Sequence, residues 1–209
     1  MAAPITSARR PPADKAPLEP QSLSPRQYAR RERIIQGGLA LLMERGFDDI
    51  QVRDVAEHAD VAVSTVYRYF ASKEHLFAAV FLAWQSSMRS SAPIEAGDGL
   101  EAATWLTRIA HLAVRSFELH PNFYPVMVMM GRSTDPYVRA ISRLTTLDSE
   151  RIFAEPLVGL DVEDRLAIVT VSGSTLTTSL GNWLAGATTI EQVYETMTRV
   201  IALLRLTPA

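Results

Sequence analysis

The most informative stretch of this chain is Phe47-Asp-Asp-Ile-Gln-Val-Arg-Asp-Val-Ala-Glu-His-Ala-Asp-Val-Ala-Val-Ser-Thr-Val-Tyr-Arg-Tyr-Phe-Ala-Ser-Lys73. Two short helical segments, about 52–59 and 63–70, are separated by a tight joint that contains Ala59 and Val61. The second segment carries polar side chains that can bond to phosphates and base edges. This pattern predicts a helix-turn-helix whose second helix enters the major groove of DNA.

The composition is that of an ordinary globular protein. Of the 209 residues, 47% are hydrophobic and 21% are charged, and the net charge is −2. The absence of cysteine excludes disulfides, thiolate zinc sites and cysteine nucleophiles. No apolar run approaches the roughly 20 residues of a membrane span, and no apolar segment follows Arg9 and Arg10. We therefore expect a cytoplasmic protein that does not contact a membrane.

Charge and composition divide the chain into three parts. Residues 1–23 contain five prolines among small and polar residues, which predicts a disordered N-terminal tail. Residues 24–73 form the predicted DNA-binding domain, and residues 74–209 form a second helical domain. Residues 1–73 have 11 Lys and Arg against 9 Asp and Glu, whereas the remainder has 10 against 14. This asymmetry is consistent with a DNA-facing N-terminal end.

Helical periodicity covers most of the chain and predicts an all-α fold. Ser24 and Pro25 supply an N-cap and a first helical residue for the first helix. Gly46 predicts that this helix ends with a residue in the left-handed backbone conformation. The β-branched run 167–171 could form a strand, but its helical neighbours argue against that. The predicted helices cover about 25–45, 52–59, 63–70, 72–90, 100–119, 122–131, 135–153, 162–185 and 188–206.

The spacing of residues around the joint resembles the N-terminal domain of the tetracycline-repressor (TetR) family over roughly residues 26–80. The resemblance is carried by Val52-Arg-Asp-Val-Ala56, Ala59-Asp-Val61, Ser64-Thr-Val-Tyr67-Arg-Tyr-Phe70 and Ser72-Lys-Glu-His-Leu76. Asp60-Val-Ala-Val63 and Tyr67-Arg-Tyr-Phe70 also look like KstR-type regulators of steroid breakdown. The resemblance implies an all-helical homodimer that represses transcription and releases DNA when a small molecule binds.

The same resemblance assigns roles to individual residues. It places base-edge contacts at Arg53, Val63, Ser64 and Tyr67. It places phosphate contacts at Thr65, Tyr69 and Lys73, and Arg68 could serve either role. The structural alternative is that residues 63–70 form only an exposed helix of a bundle, with Thr65 half-buried.

Three residues depart from the family pattern. Asp60 stands where the joint usually has Gly, and it must adopt a left-handed conformation at some cost. Ala62 replaces the usual Ser cap of the recognition helix, so the cap would have to come from elsewhere. Ile50 replaces the usual Thr before the preceding helix and leaves Gln51 as a weak substitute. We expect these changes to alter sequence preference but not the fold.

Bulky and adaptable side chains in the second domain predict either a ligand pocket or a solid core. Methionine suits cavities that adapt to a ligand, and ligand pockets are mostly apolar. Ser174 and Thr178, with Asn182, lie four residues apart and could anchor a ligand oxygen. The other pocket candidates are Trp84, Met88, Trp105, Ile109, Leu112, Phe117, Phe123, Tyr124, Met127 and Met130.

The last two helices are the predicted dimer interface. Ser172, Gly173 and Ser174 are small enough for close helix approach, and the family resemblance implies a four-helix bundle between two copies. A two-fold dimer would place the recognition helices roughly 34–36 Å apart on a palindromic operator. The last helix also has a wide apolar stripe, formed by Ile190, Val193, Tyr194, Met197, Val200, Ile201 and Leu204.

The chain contains no catalytic signature, so we expect no enzyme and no cofactor. His111, Glu118 and His120 do not share a helix face, which argues against a metal site. The predicted function is a ligand-responsive transcriptional regulator with a small hydrophobic effector. The alternative is a helical small-molecule-binding or enzyme-like protein with a vestigial DNA-binding domain. Arg9 and Arg10 either belong to a solvated tail or contact DNA.

Overall fold

α-Helices form the fold throughout the part of the chain that the computed structural model describes, residues 16–91, 101–154, 157 and 159–204. The all-α prediction is confirmed, and the helix limits agree with the predicted ones within three residues. No helix within these ranges is both long and apolar enough to cross a membrane. The helices are α1 (Pro25–Glu44), α2 (Val52–His58), α3 (Val63–Tyr69), α4 (Lys73–Ser91), α5 (Ala102–Leu119), α6 (Phe123–Arg132), α7 (Pro136–Ala154), α8 (Val162–Leu184) and α9 (Ile190–Leu203).

α1 begins at a reciprocal cap, as the Ser24-Pro25 pair predicts. The Gln27 backbone N–H donates to Ser24 Oγ at 3.4 Å, and the Ser24 N–H donates to Gln27 Oε1 at 2.8 Å. The prediction of a left-handed stop at Gly46 is wrong, because this residue has φ −64° and ψ 150°. The helix ends instead at Arg45, whose extended backbone turns the chain away from the helix axis.

α4 is the central helix and joins the two predicted domains through one hydrophobic core. It packs against α1 on one side and against α6 and α7 on the other. Leu76 and Phe77 are fully buried in its first two turns. A Cβ on Gly38 of α1 would lie 2.7 Å from Val80 Cγ2, so α1 and α4 approach closely because position 38 is glycine.

The end of the N-terminal tail has a defined position beside α3. The Leu18 backbone N–H donates to the Arg68 carbonyl oxygen at 3.0 Å, and Pro17 is buried. Residues Pro20–Ser22 form a 3-10 turn that leads into α1. The expectation of disorder through residue 23 is therefore wrong for residues 16–23. Arg9 and Arg10 lie outside the described residues, as does the loop expected near residues 92–99.

The C-terminal helices enclose an aromatic cluster and a separate three-helix contact. The Trp84 ring stacks on Phe123 with centroids 4.3 Å apart, and Phe117 meets the same indole edge-on at 5.2 Å. α5, α8 and α9 pack against one another. Val193 and Met197 of α9 are buried in this contact. Part of the α9 stripe therefore packs within one subunit, and the assignment of the last two helices to a dimer interface stays a prediction.

Candidate nucleic-acid interface

The joint between α2 and α3 is a complete Schellman motif. The Val61 N–H donates to the Ala56 carbonyl at 2.9 Å, and the Asp60 N–H donates to the Glu57 carbonyl at 3.1 Å. Asp60 adopts the left-handed conformation that the motif requires, with φ +51°. The aspartate therefore preserves the turn that the family usually makes with glycine, as the sequence predicts.

α3 is short and lies with its apolar face on α1 and α2. Val66 and Phe70 are fully buried, as their spacing of four residues predicts. At its N-terminus, Ala62 provides no side-chain cap, and the Thr65 N–H bonds to the Ala62 carbonyl at 2.8 Å. Seven residues of helix are about 10 Å long, which is similar to the width of the major groove.

The outer face of α3 presents most of the predicted contact residues. Val63, Ser64 and Arg68 are exposed, whereas Thr65 and Tyr67 are half-buried. The side chain of Arg53 on the adjacent α2 is 79% exposed, and its Nε lies 3.6 Å from Asp54 Oδ1. Such an exposed ion pair is weak and easily exchanged for a phosphate or a base edge.

Tyr69 does not lie on this outer face. Its side chain is 2% exposed and belongs to the hydrophobic core. Residues three and four apart share one face of a helix, so Tyr69 and Phe70 lie on the same buried face as Val66. The structure therefore contradicts the placement of Tyr69 among the exposed polar residues, and this tyrosine contributes to packing under α3.

Lys73 lies at the first turn of α4, beside the end of α3. Its Nζ is 4.3 Å from the centroid of the Phe47 ring, a cation–π contact. Burial lowers the pKa of Lys73, and the nearby carboxylates, led by Asp48, oppose that effect. The ammonium is thus held close to the helix-turn-helix, where the family resemblance places a phosphate contact.

Comparisons with known proteins agree with this geometry. Residues 34–80 match the sequence model for bacterial regulatory proteins of the tetR family. The HTH-type transcriptional repressor KstR of Rhodococcus jostii is 28% identical over 179 residues, which cover 85% of this chain and 84% of that repressor. This chain carries a TetR-type DNA-binding domain. KstR of Mycolicibacterium smegmatis is 54% identical over 50 residues, 24% of each chain, so the DNA-binding domain of this chain resembles that of KstR.

A solved structure shows a similar fold over most of this chain. A TetR transcriptional regulator from Rhodococcus sp. RHA1 superimposes with a TM-score of 0.76 at 21% identity. The superposition covers 88% of this chain and 100% of that one. The likeness extends from the helix-turn-helix into the C-terminal helices and shows that their arrangement is TetR-like.

Several of the predicted ligand contacts of this chain belong to packed structure. Trp84, Phe117 and Phe123 fill the aromatic cluster described above. The Tyr124 hydroxyl donates to the Thr177 carbonyl at 3.0 Å, so this tyrosine joins α6 to α8. It also lies so close to Gly181 that a Cβ at that position would clash with it. These residues hold the helices together whether or not a ligand binds.

The predicted polar anchors on α8 face away from the interior. Ser174 and Thr178 are exposed, as is Asn182, because the inward face of α8 carries Ile168, Ser172 and Leu180. The prediction that they anchor an internal ligand is therefore contradicted. Ser172 is the buried polar residue of this helix, and its Oγ has no hydrogen-bond partner.

The remaining pocket candidates differ in how deeply they are buried. Trp105, Ile109 and Met130 are buried, whereas Met88 and Met127 are half-buried and pack against the core. The indole N–H groups of Trp84 and Trp105 are buried and have no hydrogen-bond partner among the described residues. Sequence periodicity predicts the burial of these residues, but it cannot show that their polar atoms lack partners.

An open groove of about 480 Å³ lies on the surface between α5 and α9. The Glu118 carboxylate accepts from Arg115 and from the Tyr194 hydroxyl, both at 3.0 Å, and His111 Nε2 lies 2.9 Å from Thr198 Oγ1. Burial and the bond to Glu118 raise the pKa of Tyr194 to about 12. The groove is lined by Thr104, Thr107, Arg108, His111, Leu112, Arg115 and Tyr194.

Proposed function

We propose that this protein is a TetR-family repressor that binds a palindromic operator as a homodimer and releases it when a small hydrophobic effector binds. The observation that carries the proposal is the rigid Schellman joint, which presents Ser64 and Arg68 of α3 to solvent next to Arg53 of α2. These side chains have the donors that base edges and phosphates accept. Such a protein acts where the bacterial chromosome lies, in the cytoplasm.

Exposed apolar side chains on the last two helices support the dimer. Val171 and Leu184 of α8 are 43% and 40% exposed, and Leu203 of α9 is 83% exposed. A Cβ on Gly173 would meet no described atom within 4 Å, so the surface of α8 is also open at that position. Pairing of α8 and α9 with a second copy would cover these side chains. Ser174 and Thr178 would then lie at the interface with the partner.

Unpartnered polar atoms in the C-terminal core support the effector. The N–H groups of Trp84 and Trp105 and the Ser172 hydroxyl are buried without a partner, which costs about 1–3 kcal/mol for each atom. An apolar effector that carries hydrogen-bond acceptors, such as a ketone or a thioester, would satisfy the indole donors. A steroid-like effector is the hypothesis that the resemblance to KstR suggests.

The proposal is tested by capture of genomic DNA fragments with the purified protein, followed by sequencing. The expected result is enrichment of one palindromic motif with half-sites about one helical turn apart. A variant with Ser64→Ala and Arg68→Ala is the control, and it should not enrich that motif. Diffuse binding by both proteins, without a shared motif, would favour a helical small-molecule-binding protein with a vestigial DNA-binding domain.

A further inference from the structure

The backbone that leaves the recognition helix is held by a side chain of α4. The Ala71 N–H donates to His75 Nδ1 at 3.0 Å, and the His75 N–H donates to Ser72 Oγ at 3.0 Å. The His75 residue is 8% exposed. Because Nδ1 accepts this bond, the imidazole is neutral and carries its proton on Nε2. The turn between α3 and α4 therefore depends on one imidazole acceptor.

Aromatic rings from both domains pack against this imidazole. The His75 ring stacks on Tyr137, in the first turn of α7, with centroids 5.1 Å apart and planes 11° apart. It meets Phe70, the residue directly after α3, edge-on at 5.4 Å. The Arg31 guanidinium of α1 lies 5.2 Å from the centroid of the Phe70 ring. The end of α3 is thus connected to α7 through two successive ring contacts.

The first turn of α7 is itself fixed by a cap. Asp135 Oδ1 accepts from the backbone N–H of Tyr137 at 2.8 Å and from that of Val138 at 3.3 Å. Val138 is fully buried. The Tyr137 ring therefore has a defined position, and a displacement of α7 would move the surface on which His75 stacks.

We infer that His75 is a positioning residue for the recognition helix and that Tyr137 supports it from the C-terminal domain, so that operator affinity depends on the position of α7. The inference rests on the proposed function, because it concerns how the same helix is held for DNA binding. Neither residue is proposed to contact DNA. They act through the Ala71 amide and the Phe70 ring, which set the end of α3.

A second link between the domains provides a matched control. Asn122 Nδ2 donates to the Leu42 carbonyl at 3.1 Å and joins the start of α6 to α1. This bond does not involve α3 or the turn that follows it. Asn122→Ala should therefore lower the unfolding temperature without a specific loss of operator affinity.

The test compares four variants in operator binding and in thermal unfolding. His75→Phe keeps a ring for stacking but loses the acceptor, whereas His75→Asn keeps an acceptor near the Nδ1 position but loses the ring. Tyr137→Ala removes the stack, and Tyr137→Phe keeps it. We expect His75→Phe to reduce operator affinity about tenfold or more, the effect of one lost buried hydrogen bond, and Tyr137→Ala to reduce it in the same direction because the stacking surface is lost. His75→Asn should retain part of the affinity, and Tyr137→Phe should bind as the unmodified protein does.

Hydrogen exchange without DNA separates this inference from the proposed function. Tyr137→Ala should speed exchange at Ala71 and at the end of α3, whereas Asn122→Ala should not. Unchanged exchange at Ala71 in Tyr137→Ala, or an equal loss of operator affinity in Asn122→Ala at equal stability, would overturn the inference. If no operator exists, the proposed function fails, and the exchange measurement still decides whether His75 and Tyr137 position α3.

Discussion

Asp60 shows how a single residue can depart from a family pattern and preserve the structure. Its left-handed backbone, with φ +51°, completes the Schellman motif at the cost of steric strain that glycine does not have. Asp60→Gly should relieve this strain, although glycine also increases the conformational entropy of the unfolded state. The net effect should be a rise in the free energy of unfolding of about 0.5–1 kcal/mol. Urea denaturation measures this change. Asp60→Val should lower stability, and a stable Asp60→Val variant would contradict the strain argument.

His75 should make stability depend on pH in the acidic range. Burial lowers the pKa of His75 from 6.5 to about 4, the Asp135 carboxylate opposes this, and Arg31 adds to it. Between these two values the unfolded state binds a proton that the folded state does not, so the free energy of unfolding falls as pH falls. The loss should total about 3 kcal/mol across the interval.

Denaturation curves recorded at several pH values measure this effect. His75→Asn should remove most of the slope, because the amide does not titrate. His58→Asn, at an exposed position of α2, is the matched control and should keep the slope. An unchanged slope in His75→Asn would show that another group is responsible.

At the scale of the helices, caps and periodicity predict where each element lies but not which face of it turns inward. Ser24, the helical spacing of the apolar residues in α1 and the Ser72 cap of α4 locate the helices correctly, because these signals are local. Tyr69 is buried because it shares a face with Val66. Ser174 and Thr178 are exposed because α5 and α6 pack on the opposite side of α8. Small polar residues occur on most sides of that helix, so the sequence does not indicate which side is buried.

The contact between α4 and α7 could not be predicted from the sequence for a related reason. His75 and Tyr137 are far apart in the chain, and neither has a periodic or motif signal that indicates the other. The stack exists because α4 packs between α1 and α7. The joint of the helix-turn-helix, in contrast, is encoded within a few neighbouring residues, which explains why its geometry follows so closely from the sequence.

The unpartnered indole of Trp105 on α5 leads to a prediction about effector binding. Trp105→Phe keeps an aromatic ring but removes the buried N–H, so it should weaken effector binding about tenfold, the effect of one hydrogen bond in a buried site. Operator affinity in the absence of effector should not change. Titration of effector against the protein–operator complex measures both quantities. Trp183→Phe on α8 is the control, and an equal effect of both substitutions would exclude a specific role for Trp105.

At the scale of the whole molecule, the exposed face of α8 predicts how two copies associate. Val171→Asp would place a charge in the proposed interface and should convert the dimer into a monomer. Sedimentation velocity measures the mass. Leu144→Asp on α7, which replaces a leucine of similar exposure, is the control and should leave the dimer intact. A dimer that persists in Val171→Asp would show that the copies associate through another surface.

The proposed function requires that α3 and the residues beside it bind a specific DNA sequence, and the salt dependence of operator affinity tests this requirement. Lys73→Ala removes one phosphate contact, so it should weaken binding and reduce the slope of log affinity against log salt by about one unit. Arg143→Ala, at an exposed position of α7, should leave both unchanged. If Lys73→Ala binds the operator with the original affinity and slope, the DNA-binding surface is not where this account places it.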